Sequence, residues 1–243
     1  MLNTPVHSVT MAETMELCGQ FMDEPSLHQI CTTNPEFIMR AQEDEPFRQL
    51  LWDADLCVPD GVGLLLAGKW MKRPFATPLF PERVPGSEIV YHLAEQCAEN
   101  GWRLFLLGAQ EGIAAQAGRL FQQKYPDLII AGSYAGSPDL DENETIVSLI
   151  NDSRADVLYV AYGNPKQDMW IGRNKETLKT VRVAIGIGAS LDFVTGNATR
   201  APRWMQKLGL EWLHRLILEP WRWRRMLALP RFVFSIIRDK QTH

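Results

Sequence analysis

The sequence predicts an α/β protein, in which a Rossmann-like parallel sheet is flanked by helices and followed by a basic amphipathic helical appendage. Three observations predict it. Short apolar runs of strand length alternate with longer segments of helical periodicity. From residue 103 onward the strand starts recur about every 25 residues, roughly the length of one strand plus its crossover helix. After residue 195 the strand pattern stops. The expected body is a doubly wound sheet.

The periodicity gives a position for each element in turn. Strands are expected at 28–32, 55–58, 103–107, 128–133, 156–161 and 181–187. Helices are expected at 35–48, 61–71, 87–100, 113–124, 142–153 and 167–177. Beyond residue 195, prolines at 202, 220 and 230 divide the chain into short helical pieces. We therefore predict two units, an α/β body at 1–195 and a helical appendage at 196–243.

The composition excludes several classes of protein. With 243 residues, 46% of them hydrophobic and 22% charged, the chain is neither disordered nor collagen-like. No apolar run approaches the roughly 18 residues of a membrane-spanning helix, and the first ten residues lack the features of a secretory signal. We therefore expect a cytoplasmic location. The cysteines Cys18, Cys31, Cys57 and Cys97 lie far apart without a C-x-x-C pair, so we expect reduced core thiols.

The charge is distributed unevenly along the chain. Residues 1–195 hold 15 Lys/Arg against 26 Asp/Glu, and residues 196–243 hold 10 against 3, so an acidic body of net charge −11 precedes a segment of +7. That segment also holds four of the eight tryptophans, and Trp204, Leu208 and Trp212 recur at helical spacing. Two interpretations stay open: the apolar stripe packs on the core, or it lies on an anionic membrane surface.

Polar residues follow most of the predicted strands, where ligands of parallel sheets bind. Asp60 stands between an apolar strand and a glycine that opens a helix, so it is a candidate general base. The spacing alone favours a plainer role, in which its carboxylate caps that helix. Gly108 begins a turn, 108–112, that is a candidate phosphate-binding loop. A tight turn without a ligand is at least as common.

Other patterns point away from metals and dinucleotides. The D-x-D triplets at 53–55 and 139–141 resemble the cation-binding pattern of some sugar transferases, but their positions suit ordinary caps. The histidines are scattered, so we expect no metal site. The glycines Gly186 and Gly188 lack the third glycine of the dinucleotide fingerprint, which argues against an NAD enzyme.

Six segments in one order resemble the WecG/TagA/CpsF family of bacterial glycosyltransferases. They are T-T-N-P-E at 32–36, P-D-G-V-G at 59–63, E-R-V-P-G at 82–86, G-N-P-K-Q-D-M-W-I at 163–171, G-A-S-L-D-F at 188–193 and R-A-P-R-W-M-Q-K-L-G-L-E-W-L-H-R-L-I-L-E-P at 200–220. The likeness extends from about residue 30 to the last helices. Asp168, Leu191 and Glu88 depart from the usual family residues and leave the donor sugar open.

The resemblance implies an activity and its partners. It implies inverting transfer of a sugar, often of the N-acetylmannosamine type, from a UDP-sugar to a polyprenyl-diphosphate-linked saccharide in cell-surface polysaccharide synthesis. The enzyme would work as a peripheral protein on the anionic inner face of the cell membrane. No cofactor or metal is expected, because arginines and helix N-termini can stabilise the departing diphosphate. The oligomeric state stays open, and the acidic body argues against a nucleic-acid partner.

The resemblance also implies roles for particular residues. It places the family's catalytic aspartate at Asp60 and begins its T-x-N motif at Thr32, which we include in the catalytic group. One carboxylate is sufficient for inverting transfer, because a base need only take the proton of the attacking hydroxyl. The implied substrate-binding residues are Asn34, Arg83, Gln167 and Asp192. The implied arginines of the appendage, which contact acceptor or membrane, are Arg215, Arg222 and Arg225.

Two alternatives remain at this point. The same scaffold serves nucleotide-binding modules without catalysis and NAD-dependent oxidoreductases, because a fold does not determine a function. An oxidoreductase should show the full glycine fingerprint with an acidic residue about 20 positions later, and the sequence has none.

Overall fold

The computed structural model describes residues 1–71, 79–202, 204–205 and 210–242, apart from the side chains of Arg222 and residues 240–242. Six parallel strands form one sheet in the order β2-β1-β6-β5-β3-β4. The strands are β1 His28–Thr33, β2 Leu56–Pro59, β3 Arg103–Gly108, β4 Ile129–Tyr134, β5 Val157–Ala161 and β6 Val183–Gly186. The predicted α/β class with a parallel sheet is confirmed, and each strand lies within about two residues of its expected start.

Helices occupy most of the connections. In the body they are α1 Met11–Met22, α2 Pro35–Ala41, α3 Glu45–Asp53, α4 Val62–Trp70, α5 Gly86–Asn100, α6 Ile113–Lys124, α7 Asn143–Ser153, α8 Lys166–Asn174 and α9 Ser190–Thr195. After residue 209 they are α10 Glu211–Leu218, α11 Trp223–Met226 and α12 Ala228–Thr242. Short 3₁₀ turns precede α7 at Leu140–Glu142 and α11 at Pro220–Arg222.

Two helix predictions differ from the structure. The single helix expected at 35–48 is wrong, because two helices, α2 and α3, fill this region. The break falls at Asp44, whose Oδ1 accepts a hydrogen bond from the Phe47 N–H at 3.1 Å and caps α3, with Pro46 in its first turn. Helix α1 was not predicted. Its start is a capping box, in which Thr10 and Glu13 bond each other's backbone N–H groups.

The inner strands of the sheet are buried on both faces, whereas β4 at one edge is partly exposed. In β3, Leu104 and Leu106 face the layer formed by α1, α5 and α6, whereas Phe105 and Leu107 face the layer of α7 and α8. The cysteines of the chain are free and buried, as predicted. This rigid sheet fixes the ends of β1, β2, β5 and β6, where the cavity described below lies.

Helix α12 is apolar on two sides. Phe232 and Ile236 are only 2% and 3% exposed and pack in a cluster with Ile38 of α2 and Leu64 of α4. On the other side, apolar side chains of the same helix are exposed, namely Val233, Phe234 and Ile237. Packing on the core is therefore confirmed for Phe232 and Ile236, and the membrane-surface interpretation stays a prediction for the exposed residues. None of the described helices combines the length and hydropathy needed to cross a bilayer.

Candidate active site

A cavity of about 690 Å³ opens at the carboxyl ends of β1, β2, β5 and β6. Its walls are the loops that follow these strands, the start of α5, and residues of the segment from 199 onward. It brings together most of the residues that the sequence predicts for the site. These are Thr32, Asn34, Asp60, Arg83, Gln167, Asp192, Arg215 and Arg225.

Asp60 does not cap the helix that follows it, so the plainer interpretation of this residue is wrong. Helix α4 begins after Gly61 with no side-chain cap. The Asp60 carboxylate instead accepts hydrogen bonds from the Gly86 N–H at 3.2 Å and from Arg83 Nη2 at 3.3 Å. It thus contacts the N-terminus of a different helix, α5. The capping prediction failed because the donor lies 26 residues further along the chain.

The environment of Asp60 suits a proton acceptor. Burial raises the pKa of its carboxyl above the ordinary value, and the negative charge of Glu211 acts in the same direction. Arg83 and the Gly86 N–H oppose this by favouring the ionised form. The side chain is nevertheless 23% exposed, so a substrate can reach it from the cavity. A carboxylate with these properties is a candidate general base.

Arg83 lies between two carboxylates. Its Nη2 is 3.3 Å from Asp60 Oδ1 and 2.5 Å from Glu211 Oε2. Burial alone would lower the pKa of Arg83, but the two carboxylates outweigh burial and raise it. The guanidinium therefore stays charged, as an interaction with a diphosphate requires.

Thr32 and Asn34 line the cavity from the end of β1. Thr32 packs against Gly86, where a Cβ would lie only 2.8 Å from the threonine Cγ2, so a side chain there would push α5 away from β1. Asn34 caps α2, because its Oδ1 accepts from the N–H groups of Glu36 and Phe37. Only the amide nitrogen of Asn34 is left for a substrate.

Gln167 joins two walls of the cavity. Its buried Oε1 accepts hydrogen bonds from Gly163 N at 3.1 Å and Gly188 N at 2.9 Å, which follow β5 and β6. The side chain also lies directly against Gly186, where no Cβ would fit. The next residue, Asp168, is fully buried away from the cavity, and burial raises the pKa of its carboxyl to about 7.

Asp192 and Arg215 lie on the side of the cavity near α9. Burial raises the pKa of Asp192, although the nearby Arg215 charge favours the ionised form. The Arg215 guanidinium lies 4.8 Å from the centre of the Phe193 ring, a cation–π contact between α10 and α9. The predicted arginine of the appendage thus faces the cavity.

Of the other two predicted arginines, the structure describes the side chain of Arg225 but not that of Arg222. Arg225 lines the cavity, and its Nε donates to Glu36 Oε1 at 2.7 Å, so α11 is paired to the start of α2. The side chain of Arg222 lies outside the described part of the chain.

Gly108 does not line the cavity. Its φ of +96° belongs to the left-handed region, and a Cβ there would lie 2.8 Å from the carbonyl carbon of Ala161. These observations account for the glycine through the close approach of β3 and β5. Its role in binding phosphate stays a prediction.

Several residues of the cavity were not predicted. These include Glu36, Asn164, Arg200 and Glu211. Glu36 and Asn164 stand inside quoted motifs, so their positions were a signal. Glu211 could have been noticed as one of only three acidic residues in the basic segment 196–243. Arg200 donates to Ser87 Oγ and Glu88 Oε1 at 3.1 and 3.2 Å, contacts that only the tertiary structure reveals.

Within the described ranges, no group of three or more His, Cys, Asp or Glu side chains could hold a metal ion. One aspartate of each D-x-D triplet has another partner. Asp55 pairs with Lys175 and His28, and Asp139 accepts from Ser137 Oγ in an exposed loop. Among the residues that the structure describes, four arginines line the cavity and could bind a phosphorylated ligand, namely Arg83, Arg200, Arg215 and Arg225.

Comparison with known proteins shows the class of this chain. Residues 1–243 match the model of the glycosyl transferase WecG/TagA/CpsF family, so the protein is a glycosyltransferase and not one of the two alternatives left by the sequence. The chain belongs to the WecG/TagA/CpsF family, as its six motifs indicated.

Two relatives illustrate the likeness. One, from Bacillus subtilis (strain 168), is an N-acetylglucosaminyldiphosphoundecaprenol N-acetyl-beta-D-mannosaminyltransferase. It is 31% identical over 212 residues, which cover 87% of this chain and 80% of that protein. A protein of the same name from Staphylococcus aureus (strain MRSA252) is 30% identical over 243 residues, 99% of this chain and 92% of that protein.

Proposed function

We propose that this glycosyltransferase moves an N-acetylmannosamine-type sugar from a UDP-sugar to a polyprenyl-diphosphate-linked N-acetylglucosamine, with inversion at the sugar C1. The names of the relatives support the transferred sugar and the acceptor. The observation that carries the chemistry is the position of Asp60, a half-buried carboxylate that faces the cavity beside an arginine and a helix N-terminus.

The reaction needs one proton acceptor. In the proposed step Asp60 takes the proton of an acceptor hydroxyl, whose oxygen attacks the donor sugar at C1. The bond between C1 and the diphosphate oxygen breaks, and its electron pair leaves with UDP. Because attack comes from the face opposite the leaving group, the configuration at C1 inverts. Thr32, at the end of β1 beside the start of α5, positions the reacting groups by hydrogen bonds.

The departing diphosphate gains charge, and the cavity has groups to stabilise it. Arg83 is the nearest guanidinium to the proposed base, and Arg215 and Arg225 face the same cavity from the C-terminal segment. We propose that these cations act without a metal ion. We propose that the sugar or the uridine is oriented by Asn34, Gln167 and Asp192. The two hydrogen bonds that Gln167 accepts from Gly163 and Gly188 would hold these loops in place.

We further propose that the appendage at 196–243 places the enzyme on an anionic membrane surface inside the cell. Its tryptophans and other large apolar side chains are exposed in the described residues, including Trp204, Trp212, Trp221 and Trp223. The Arg224 guanidinium lies 5.5 Å from the centre of the Trp223 ring, which puts a cation beside an interfacial aromatic group. Such a surface would bring the cavity to a lipid-linked acceptor.

The test is a comparison of donors. Each reaction contains the full chain and a synthetic prenyl-diphosphate N-acetylglucosamine as acceptor. One donor is added to each reaction: UDP-N-acetylmannosamine, UDP-N-acetylglucosamine or UDP-glucose. The UDP release that depends on the acceptor is measured. We expect the first donor to be turned over at least about tenfold faster than the others. Equal rates, or release that does not depend on the acceptor, would refute the proposal. The anomeric configuration of the product, read by NMR, tests inversion.

A further inference from the structure

The first residue of α10, Glu211, places a carboxylate against Arg83, the arginine that also contacts the proposed base. Its side chain is 23% exposed. Oε2 lies 2.5 Å from Arg83 Nη2, and Oε1 lies 3.8 Å from Arg200 Nε. The C-terminal segment therefore contributes an acidic group to a part of the site where arginines were expected.

The same nitrogen of Arg83, Nη2, contacts both carboxylates, and it lies closer to Glu211 than to Asp60. This geometry matters because a guanidinium that bonded Asp60 with both of its N–H arms would stabilise the carboxylate and make it a poor proton acceptor. In the observed arrangement the interaction of Arg83 with Asp60 is one contact at 3.3 Å.

Glu211 is itself held in place. Arg200 lies between Glu211 and the start of α5, where it bonds Ser87 and Glu88. Charges thus alternate from Asp60 through Arg83, Glu211 and Arg200 to Glu88. This network connects the loop after β2, the loop before α5, α5 itself, the segment at Arg200 and α10, so Glu211 is linked to Asp60 through Arg83.

We propose that Glu211 is a positioning residue. Its carboxylate holds the Arg83 guanidinium between itself and Asp60, and so keeps Asp60 basic enough to take the proton of the attacking hydroxyl. This inference rests on the proposed function of Asp60. The groups that face Asp60 are Arg83, the Gly86 N–H of α5 and Glu211 of α10. Of these, only Glu211 adds negative charge, so removing its charge should make Asp60 a weaker base.

The experiment measures the pH dependence of kcat/KM for the Glu211→Gln variant of the full chain. The amide keeps the size of the side chain and removes its charge. Without that charge Asp60 becomes a weaker base, so the midpoint of the ascending limb should move about one pH unit toward acid. The plateau rate should fall about tenfold. A role limited to packing would lower the amount of active enzyme and leave the midpoint where it is.

Two further variants serve as comparisons. Glu211→Asp keeps the charge but shortens its reach, so we expect an unchanged midpoint and a plateau about threefold lower, since Arg83 is held less well. Glu99→Gln removes an exposed carboxylate near the far end of α5 and should match the wild type in both quantities. Circular dichroism checks the fold of each variant.

The outcomes separate this inference from the proposed function. Asp60→Asn is measured beside the other variants, and wild-type turnover in it would refute Asp60 as the base and with it the proposed mechanism. If Asp60→Asn is inactive but Glu211→Gln follows the wild-type pH profile, the mechanism stands and the role of Glu211 is overturned. Should Glu211→Gln not fold, a full wild-type plateau in Glu211→Asp overturns the role.

Discussion

Replacement of Asp60 by Asn is expected to separate catalysis from stability. The substitution keeps the shape of the side chain and replaces one carboxylate oxygen by an amide group, which cannot accept a proton. The remaining oxygen can still accept from the Gly86 N–H or from Arg83, the two donors of the native carboxylate. The position of α5 against β1 should therefore be retained, together with the cavity.

The size of the catalytic effect follows from the loss of a general base. Such a loss typically lowers turnover by a factor of about 10² or more, equivalent to about 2.7 kcal/mol or more of transition-state stabilisation. Donor binding should change by less than about threefold, because the proposed donor contacts come from other residues.

Stability should change in the opposite direction. Burial raises the pKa of Asp60 in the folded state above its unfolded value. A group of this kind contributes stability that is fully present below the unfolded pKa and is lost as the pH rises through the folded pKa. At neutral pH the ionised carboxylate therefore lowers the free energy of unfolding, and a neutral amide at this position does not. We expect the Tm of Asp60→Asn to equal or exceed that of the wild type at neutral pH.

The assay combines acceptor-dependent UDP release, donor binding by calorimetry and thermal unfolding by circular dichroism. Asp127→Asn, an exposed aspartate in the turn before β4, is the matched control and should leave all three unchanged. Wild-type turnover in Asp60→Asn would refute the reasoning about the base. A Tm well below that of the wild type would show instead that the carboxylate holds α5 in place.

Three further predictions concern other parts of the molecule. Gln167→Met removes the acceptor of two backbone N–H groups and should lower the free energy of unfolding by about 2 kcal/mol, measured by urea denaturation, and reduce turnover as well. An unchanged urea midpoint would show that these two hydrogen bonds do not hold the loops after β5 and β6 together. Excess EDTA should leave turnover within about twofold of the untreated enzyme, because arginines are proposed to replace a metal, and recovery only with added Mg²⁺ or Mn²⁺ would contradict this. The triple variant Trp221→Ser, Trp223→Ser and Arg224→Glu should no longer sediment with anionic vesicles, while Trp52→Ser, an exposed tryptophan of α3, should sediment normally; equal sedimentation of both would refute the membrane surface.

The sheet was predictable because most of its strands contain an apolar run between polar loops. Burial on both faces requires such runs, and a strand such as Val157–Ala161 therefore has an unmistakable composition. Helix boundaries were less predictable. The break at Asp44 depends on one side chain that bonds a backbone N–H three residues later, and an apolar period continues across it.

Most of the predicted residues line the cavity, but their contacts could not be predicted from the sequence. The resemblance named Asp60 and Arg83, but their partners come from remote parts of the chain, Gly86 on α5 and Glu211 on α10. Local spacing therefore gave the wrong role for Asp60, that of a cap on its own helix. At Gly108 the close approach of the neighbouring strand at Ala161 is a sufficient reason for glycine, and a role in phosphate binding stays a prediction.

The two apolar sides of α12 determine how the molecule would be oriented on a bilayer. Phe232 and Ile236 fix one side of the helix to the body, so the exposed Val233, Phe234 and Ile237 point in a constant direction relative to the cavity. A flexible tether would let the body rotate and present any of its faces to the lipid. On a bilayer, a helix fixed in this way would let the protein diffuse in the plane of the membrane while the same face stays against the lipid. Acceptors that diffuse in that plane would then reach the cavity from one side.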